Sequence, residues 1–170
     1  MRLWIILPIV TLVGASCGGS SSTTNPTGPS SSGSSGTTTS TLTATIDGVA
    51  FRGTNVTANY HEGADSSSLL INALDAAQNL LSFDIAPPLR TAFTTGTYPL
   101  GSNGNNATYN PFGTTGNTGW NGLTGPQSGS VIVTAFSKTG KTASGTFSFV
   151  LHNSSSAKTV TDGVFDVTFP

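Results

Sequence analysis

From Thr41 onward, apolar residues recur at every second position, and that period fixes the class of fold. Leu42, Ala44 and Ile46 alternate with Thr41, Thr43 and Thr45. Successive side chains of a strand point to opposite faces, so a period of two lays one apolar face on a core. Asp47-Gly48 follows, a pair that supplies the positive φ angles of a type I′ turn and predicts a hairpin into Val49-Ala50-Phe51. Val56, Ala58 and Tyr60 alternate next, and His61 to Asp65 reads as a turn. Val131, Val133 and Ala135 share one predicted face, with Ile132 and Phe136 on the other. Lys138 to Lys141 turns the chain into Phe147, Phe149 and Leu151, and Asp162-Gly163 repeats the hairpin signal before Phe165, Val167 and Phe169. The expectation is an all-β domain over 41–170, an antiparallel β-sandwich or flattened barrel of about eight strands. Its expected core is Phe51, Leu81, Phe83, Ile85, Val133, Phe147, Phe149, Phe165 and Val167.

One segment admits two readings. Leu70, Ala73, Leu74, Ala77 and Leu81 stand at helical spacing, and Ala and Leu favour a helix. Alternatively the segment splits into strands at 69–74 and 80–85 around a turn at Asp75 to Asn79. Leu81, Phe83 and Ile85 alternate cleanly and Pro87-Pro88 ends the run, so the hairpin is expected.

Composition narrows the function classes. Charged residues make up 8% of the 170-residue chain, and the formal net charge is −1. Only six basic residues occur and no two are adjacent, which excludes the clustered cations of a nucleic-acid surface.

The N-terminal end carries a different signal. Met1-Arg2 precedes an eleven-residue apolar run, Leu3 to Val13, too short to span a bilayer and suited to the core of a signal peptide. Gly14-Ala15-Ser16 then leads to Cys17, the single cysteine of the chain. This stretch resembles the lipobox of bacterial lipoproteins, with Ala15 and Ser16 matching and Gly14 standing where Leu is usual. The resemblance implies removal of residues 1–16 and lipidation of Cys17, which would be the protein's contact with the membrane. The alternative is an ordinary secretory peptide with an incidental cysteine. Gly18, in place of the Asp associated with inner-membrane retention, points to the outer membrane of a bacterial envelope. Residues 18–40 comprise nine Ser, six Thr, five Gly, two Pro and one Asn. With nothing to offset the entropy of ordering, they form a disordered tether of about 26 Å root-mean-square length. The same composition suits an O-glycosylated stalk.

Within 41–170 several short stretches stand together: Thr43 to Phe51, Gly96-Thr97-Tyr98-Pro99-Leu100, Gly129 to Thr134, Ser144 to Phe149 and Thr161 to Val167. The set resembles an uncharacterised family of bacterial lipoproteins with a small all-β domain. The resemblance supports the hairpin at 69–85 and implies no activity.

Catalytic material is sparse. His61 and His152 are the only histidines, and no G-x-S-x-G elbow presents a nucleophile. His61-Glu62 with Asp65 lacks the second ligand pair that a metal site needs, and turn chemistry explains it. The expectation is therefore no catalytic residue, no metal and no cofactor, in a non-catalytic binding or structural module. A small hydrolase using His61 or His152 is the remote alternative. The stretch from Gly101 to Gln127 is rich in Gly, Asn and Thr and carries Tyr109, Phe112, Trp120 and Leu123. Long loops in small domains are often functional. Aromatic faces beside carboxamides suit a glycan or a protein partner, and Tyr109, Phe112 and Trp120 are the expected ligand contacts. The competing expectation is that Tyr109 and Trp120 fold back as a lid over the sandwich, with no deep pocket.

Overall fold

A computed structural model of the chain describes residues 39–112, 119–121 and 125–170. Cys17, the signal segment 1–16, all but the end of the tether, and Leu123 lie outside the described residues. The described residues form strands and turns with no helix, and eleven strands lie among them. These are β1 (Thr41–Ile46), β2 (Val49–Arg52), β3 (Asn55–Glu62), β4 (Ser67–Leu74), β5 (Leu80–Ile85) and β6 (Gly96–Pro99). The remainder are β7 (Asn106–Asn110), β8 (Trp120–Asn121), β9 (Gln127–Ser137), β10 (Thr142–His152) and β11 (Ala157–Thr168).

They assemble into two antiparallel sheets, one ordered β2-β1-β11-β10-β9-β6 and the other β3-β4-β5-β7-β8. The sheets do not join into a closed barrel, so the sandwich alternative holds. The strand count exceeds the expected eight for a physical reason: β6, β7 and β8 have two to five residues each, too few to display a period of two. The 69–85 segment is the β4–β5 hairpin. Its turn is fixed by the Asp75 carboxylate, which accepts hydrogen bonds from the Ala77 and Asn79 amides, both at 2.9 Å. The β1–β2 hairpin turns on Asp47 (φ 49°) and Gly48 (φ 81°), the two positive angles a type I′ turn requires.

Two readings of the pattern are corrected. Asp162-Gly163 is not a hairpin turn but a β-bulge inside β11, the strand between β1 and β10. Asp162 alone takes the left-handed conformation (φ 52°), and the register slips on both sides. A second slip, between Ser144 and Gly145 of β10, leaves Thr134 as the extra residue of β9. The phase of β9 therefore inverts, so Ala135 is exposed and Phe136 packs against the core beside Val131 and Val133. An inserted residue moves every later side chain to the opposite face, which alternation alone does not reveal.

All nine expected core residues are buried. Phe83, Phe147, Phe149 and Phe165 form one aromatic cluster, with neighbouring centroids 5.0–6.5 Å apart. Two glycines make room for it. Phe147 lies directly across from Gly163 and Phe165 across from Gly145. A Cβ at Gly163 would sit 2.4 Å from the Phe147 ring, and one at Gly145 would sit 2.8 Å from the Phe165 ring. A phenyl ring over a bare backbone restores the packing that a glycine removes from a strand. Tyr60, Phe93, Tyr98, Phe136 and Phe169 form a second cluster. There the Tyr98 hydroxyl donates to the Thr94 carbonyl at 2.6 Å and accepts the Thr94 amide, so Gly96 to Leu100 is held as a corner.

Candidate functional site

The 101–127 segment is not one long loop. Asn106 to Asn110 joins the five-stranded sheet as β7, paired with β5, and Trp120-Asn121 adds the edge strand β8. Leu81 faces Tyr109, and Tyr109 faces Trp120, so all three share the inward face. Leu81 is fully buried, while Tyr109 and Trp120 are half-buried against the core. Their rings are 6.1 Å apart. Burial holds the Tyr109 hydroxyl above its ordinary pKa, and nearby Asp75 adds to the effect.

Trp120 reaches the other sheet. Its Nε1 donates to Ser156 Oγ at 3.1 Å, and Lys158 Nζ lies 5.1 Å from the ring centroid. Ser156 belongs to the β10–β11 turn, organised by the Asn153 carboxamide oxygen, which accepts the Ser155 and Ser156 amides. Lys158 is paired in turn with Asp47 at 2.7 Å. That ion pair, with the Thr159 amide on Asp47, holds the carboxyl below the usual range. Tyr109 and Trp120 thus close the sandwich edge, the arrangement expected of a lid. Phe112 does not join them. It is 73% exposed just beyond β7, its amide donating to Asn79 Oδ1 in the β4–β5 turn.

Beside this edge runs an open groove of about 540 Å³, bordered by Gly101, Gly104, Asn106, Thr108, Asn121 and Gln127. Among the described residues no ionisable side chain lines it. Two carboxamides that sequence reasoning passed over build its floor. Asn105 is 2% exposed; its Oδ1 accepts the Ala86 amide at 2.6 Å and its Nδ2 donates to the Pro99 carbonyl at 3.1 Å. Gln127, from β9 of the six-stranded sheet, accepts the Ala107 amide at 3.0 Å and donates back to the Ala107 carbonyl. A side-chain amide there takes the place of a neighbouring strand, since a buried backbone pair must be satisfied. Gly101, Asn103 and Gly104, which take positive φ, are turn-forming residue types that could have drawn attention to Asn105. Nothing in the sequence marks Gln127, whose partner comes from 20 residues away.

The ionisable residues do not converge with this groove into a catalytic set. His61, next to last in β3, is exposed and directly across from Ser68, and the Ser68 side chain bonds to Asp84. A nucleophilic triad places the imidazole between hydroxyl and carboxylate; here the hydroxyl is in the middle. His152 ends β10, behind Gly125 at the groove wall. Among the described residues no three His, Cys, Asp or Glu side chains gather as metal ligands. Asp84 is the exception to the plain chemistry of the surface. Its Oδ1 is buried with no hydrogen-bond partner, and burial pushes its carboxyl above the ordinary value against the opposing bonds from Ser68 and Ile85.

No curated protein and no solved structure matches the chain. One family does, over residues 38–167, a span that takes in every described strand except the last residue of β11 and excludes Cys17 and most of the tether. With more than half its length matched, the chain belongs to the family described as a domain of unknown function, DUF6252.

Proposed function

We propose that the protein is a lipid-anchored component of a bacterial cell envelope, held on the outer membrane through Cys17. On this reading its β-sandwich is a non-catalytic binding module. The observation that carries the reading is the position of the only cysteine. Cys17 stands between an apolar run too short to span a bilayer and 23 uncharged residues that lead directly into β1. One acyl chain holds a protein weakly, whereas several chains on one residue make a durable anchor.

Phe112 and the neutral groove favour recognition at the 101–127 end, with a glycan or a protein as partner. A large apolar ring left exposed just past β7 has no folding rationale. Growth with labelled palmitate tests the anchor. The native protein should carry label and sediment with membranes, and Cys17→Ser should lose the label and either enter the soluble fraction or accumulate as precursor. An unlabelled native protein would contradict the anchor.

A further inference from the structure

The groove continues onto the outward face of the five-stranded sheet. The pairing registers place Thr57, Asn72, Ser82, Thr108 and Asn121 in one row, one residue from each strand. Their inward neighbours Ala58, Ala73, Leu81, Phe83 and Ala107 are buried, so the row is the solvent side of a rigid layer. With strands about 4.8 Å apart, the row runs roughly 19 Å, long enough for several sugar rings in line. Every member is a neutral hydroxyl or carboxamide, and Ser82 Oγ is 2.7 Å from Asn72 Oδ1, which fixes the direction of that pair. The last two members, Thr108 and Asn121, also border the groove.

The surroundings narrow the ligand. The outward residues of β3, β4, β5, β7 and β8 include one imidazole, His61, one carboxylate, Asp84, and no Lys or Arg. Such a face does not suit an anionic chain. Leu70, Leu74 and Leu80 flank the row but are half-buried; of the exposed aliphatic residues that a protein partner would cover, Val49, Ile132 and Val164 belong to the other sheet, and Leu89 stands after β5 by His61 and Ser68, outside the row. Only Phe112 adds an exposed ring next to this face, two residues beyond Asn110. Asp84, in the adjoining row between Leu70 and Asn106, keeps its unpaired Oδ1 buried beneath this face, so it offers a ligand no open acceptor there. Hydroxyl-rich, uncharged ligands with C–H faces match fixed amides and low leucine shoulders.

We propose that this face binds a neutral polysaccharide, laid across the strands along Thr57, Asn72, Ser82, Thr108 and Asn121 and ending at the groove. The proposal rests on the binding-module reading above and extends it to a ligand class and a direction.

The test is calorimetric titration of the detergent-solubilised full chain with soluble xyloglucan, glucomannan and dextran, with polygalacturonate as the charged control. Binding of at least one neutral polymer is expected, with weaker or no binding of polygalacturonate. Thr57→Lys, three strands from the groove border at Thr108, and Ser82→Lys, one strand from it, should each weaken binding at least tenfold with unchanged thermal unfolding, as should Asn106→Lys at the groove. If Ser82→Lys does not fold, the exposed Thr57→Lys alone decides. Loss with Asn106→Lys but not with Ser82→Lys or Thr57→Lys would confine the ligand to the groove, overturning the sheet-face proposal while leaving the binding module intact. No binding to any neutral polymer, or self-association abolished by Ser82→Lys, would also overturn it.

Discussion

Gln127→Glu should reveal how the edge of the five-stranded sheet is sealed. In the native protein the Gln127 carboxamide makes two hydrogen bonds to Ala107, a residue with no exposed surface. The substitution keeps the acceptor and turns the donor into a carboxylate oxygen aimed at a carbonyl. A lost hydrogen bond costs about 1 kcal/mol and an unsatisfied buried acceptor about 1–3 more, so roughly 2–4 kcal/mol is expected at pH 7. For a domain of this size that lowers the melting temperature by about 8–16 °C. Its pH dependence is diagnostic. Facing a carbonyl, the introduced carboxyl has a folded pKa above its unfolded value, so the fold binds the proton more tightly than the unfolded chain does. Stability relative to the native protein therefore rises as pH falls through the folded pKa, and is fully regained below the ordinary Glu value near 4.3. Thermal unfolding of both proteins from pH 7 to pH 3.5 measures this difference, with the native protein subtracting other titrations. Equal destabilisation at both ends, or none at pH 7, would refute the role assigned to Gln127.

Asp84→Asn should stabilise the protein at pH 7, because the raised carboxyl favours the neutral form in the fold. That gain should shrink as pH falls through the folded pKa and vanish below the ordinary Asp value near 3.9; a gain independent of pH would contradict it. Trp120→Ala should cost about 2–3 kcal/mol in urea unfolding, less than a fully buried Trp, while Phe112→Ala stays within about 0.5 kcal/mol. The reverse order would make Trp120 the free ring and Phe112 the lid. Gly163→Ala should cost more than about 3 kcal/mol, since the added carbon would lie 2.5 Å from the Phe147 carbonyl oxygen as well as against its ring. A variant that melts with the native protein would show that the bulge gives way.

The fold was legible wherever strands were long enough to alternate. β1, β5, β10 and β11 bury the faces that their sequences predict, and Asp47-Gly48 closes the hairpin its chemistry requires. The same dipeptide at 162–163 misled, because Asp-Gly supplies a left-handed residue equally well to a bulge, and only the flanking strands decide between the two. Phe136 was placed on the wrong face for a related reason: the extra residue at Thr134 leaves no local mark. At the candidate site, aromatic character identified Tyr109, Phe112 and Trp120, but not which would be covered. That depended on Ser156 and Lys158, which lie more than thirty residues further along the chain. The row from Thr57 to Asn121 was invisible for the same reason. Each member is an ordinary strand residue until five registers bring them into line.

The most direct test of the lipid-anchored module is the mass of its mature N-terminal peptide, released from purified membranes and sequenced by fragmentation. The account predicts a peptide beginning at Cys17, with residues 1–16 absent and the added mass of a diacylglyceryl group on the cysteine sulfur, with or without an acyl chain on its amine. A mature chain that begins elsewhere, or that carries Cys17 unmodified, would contradict it.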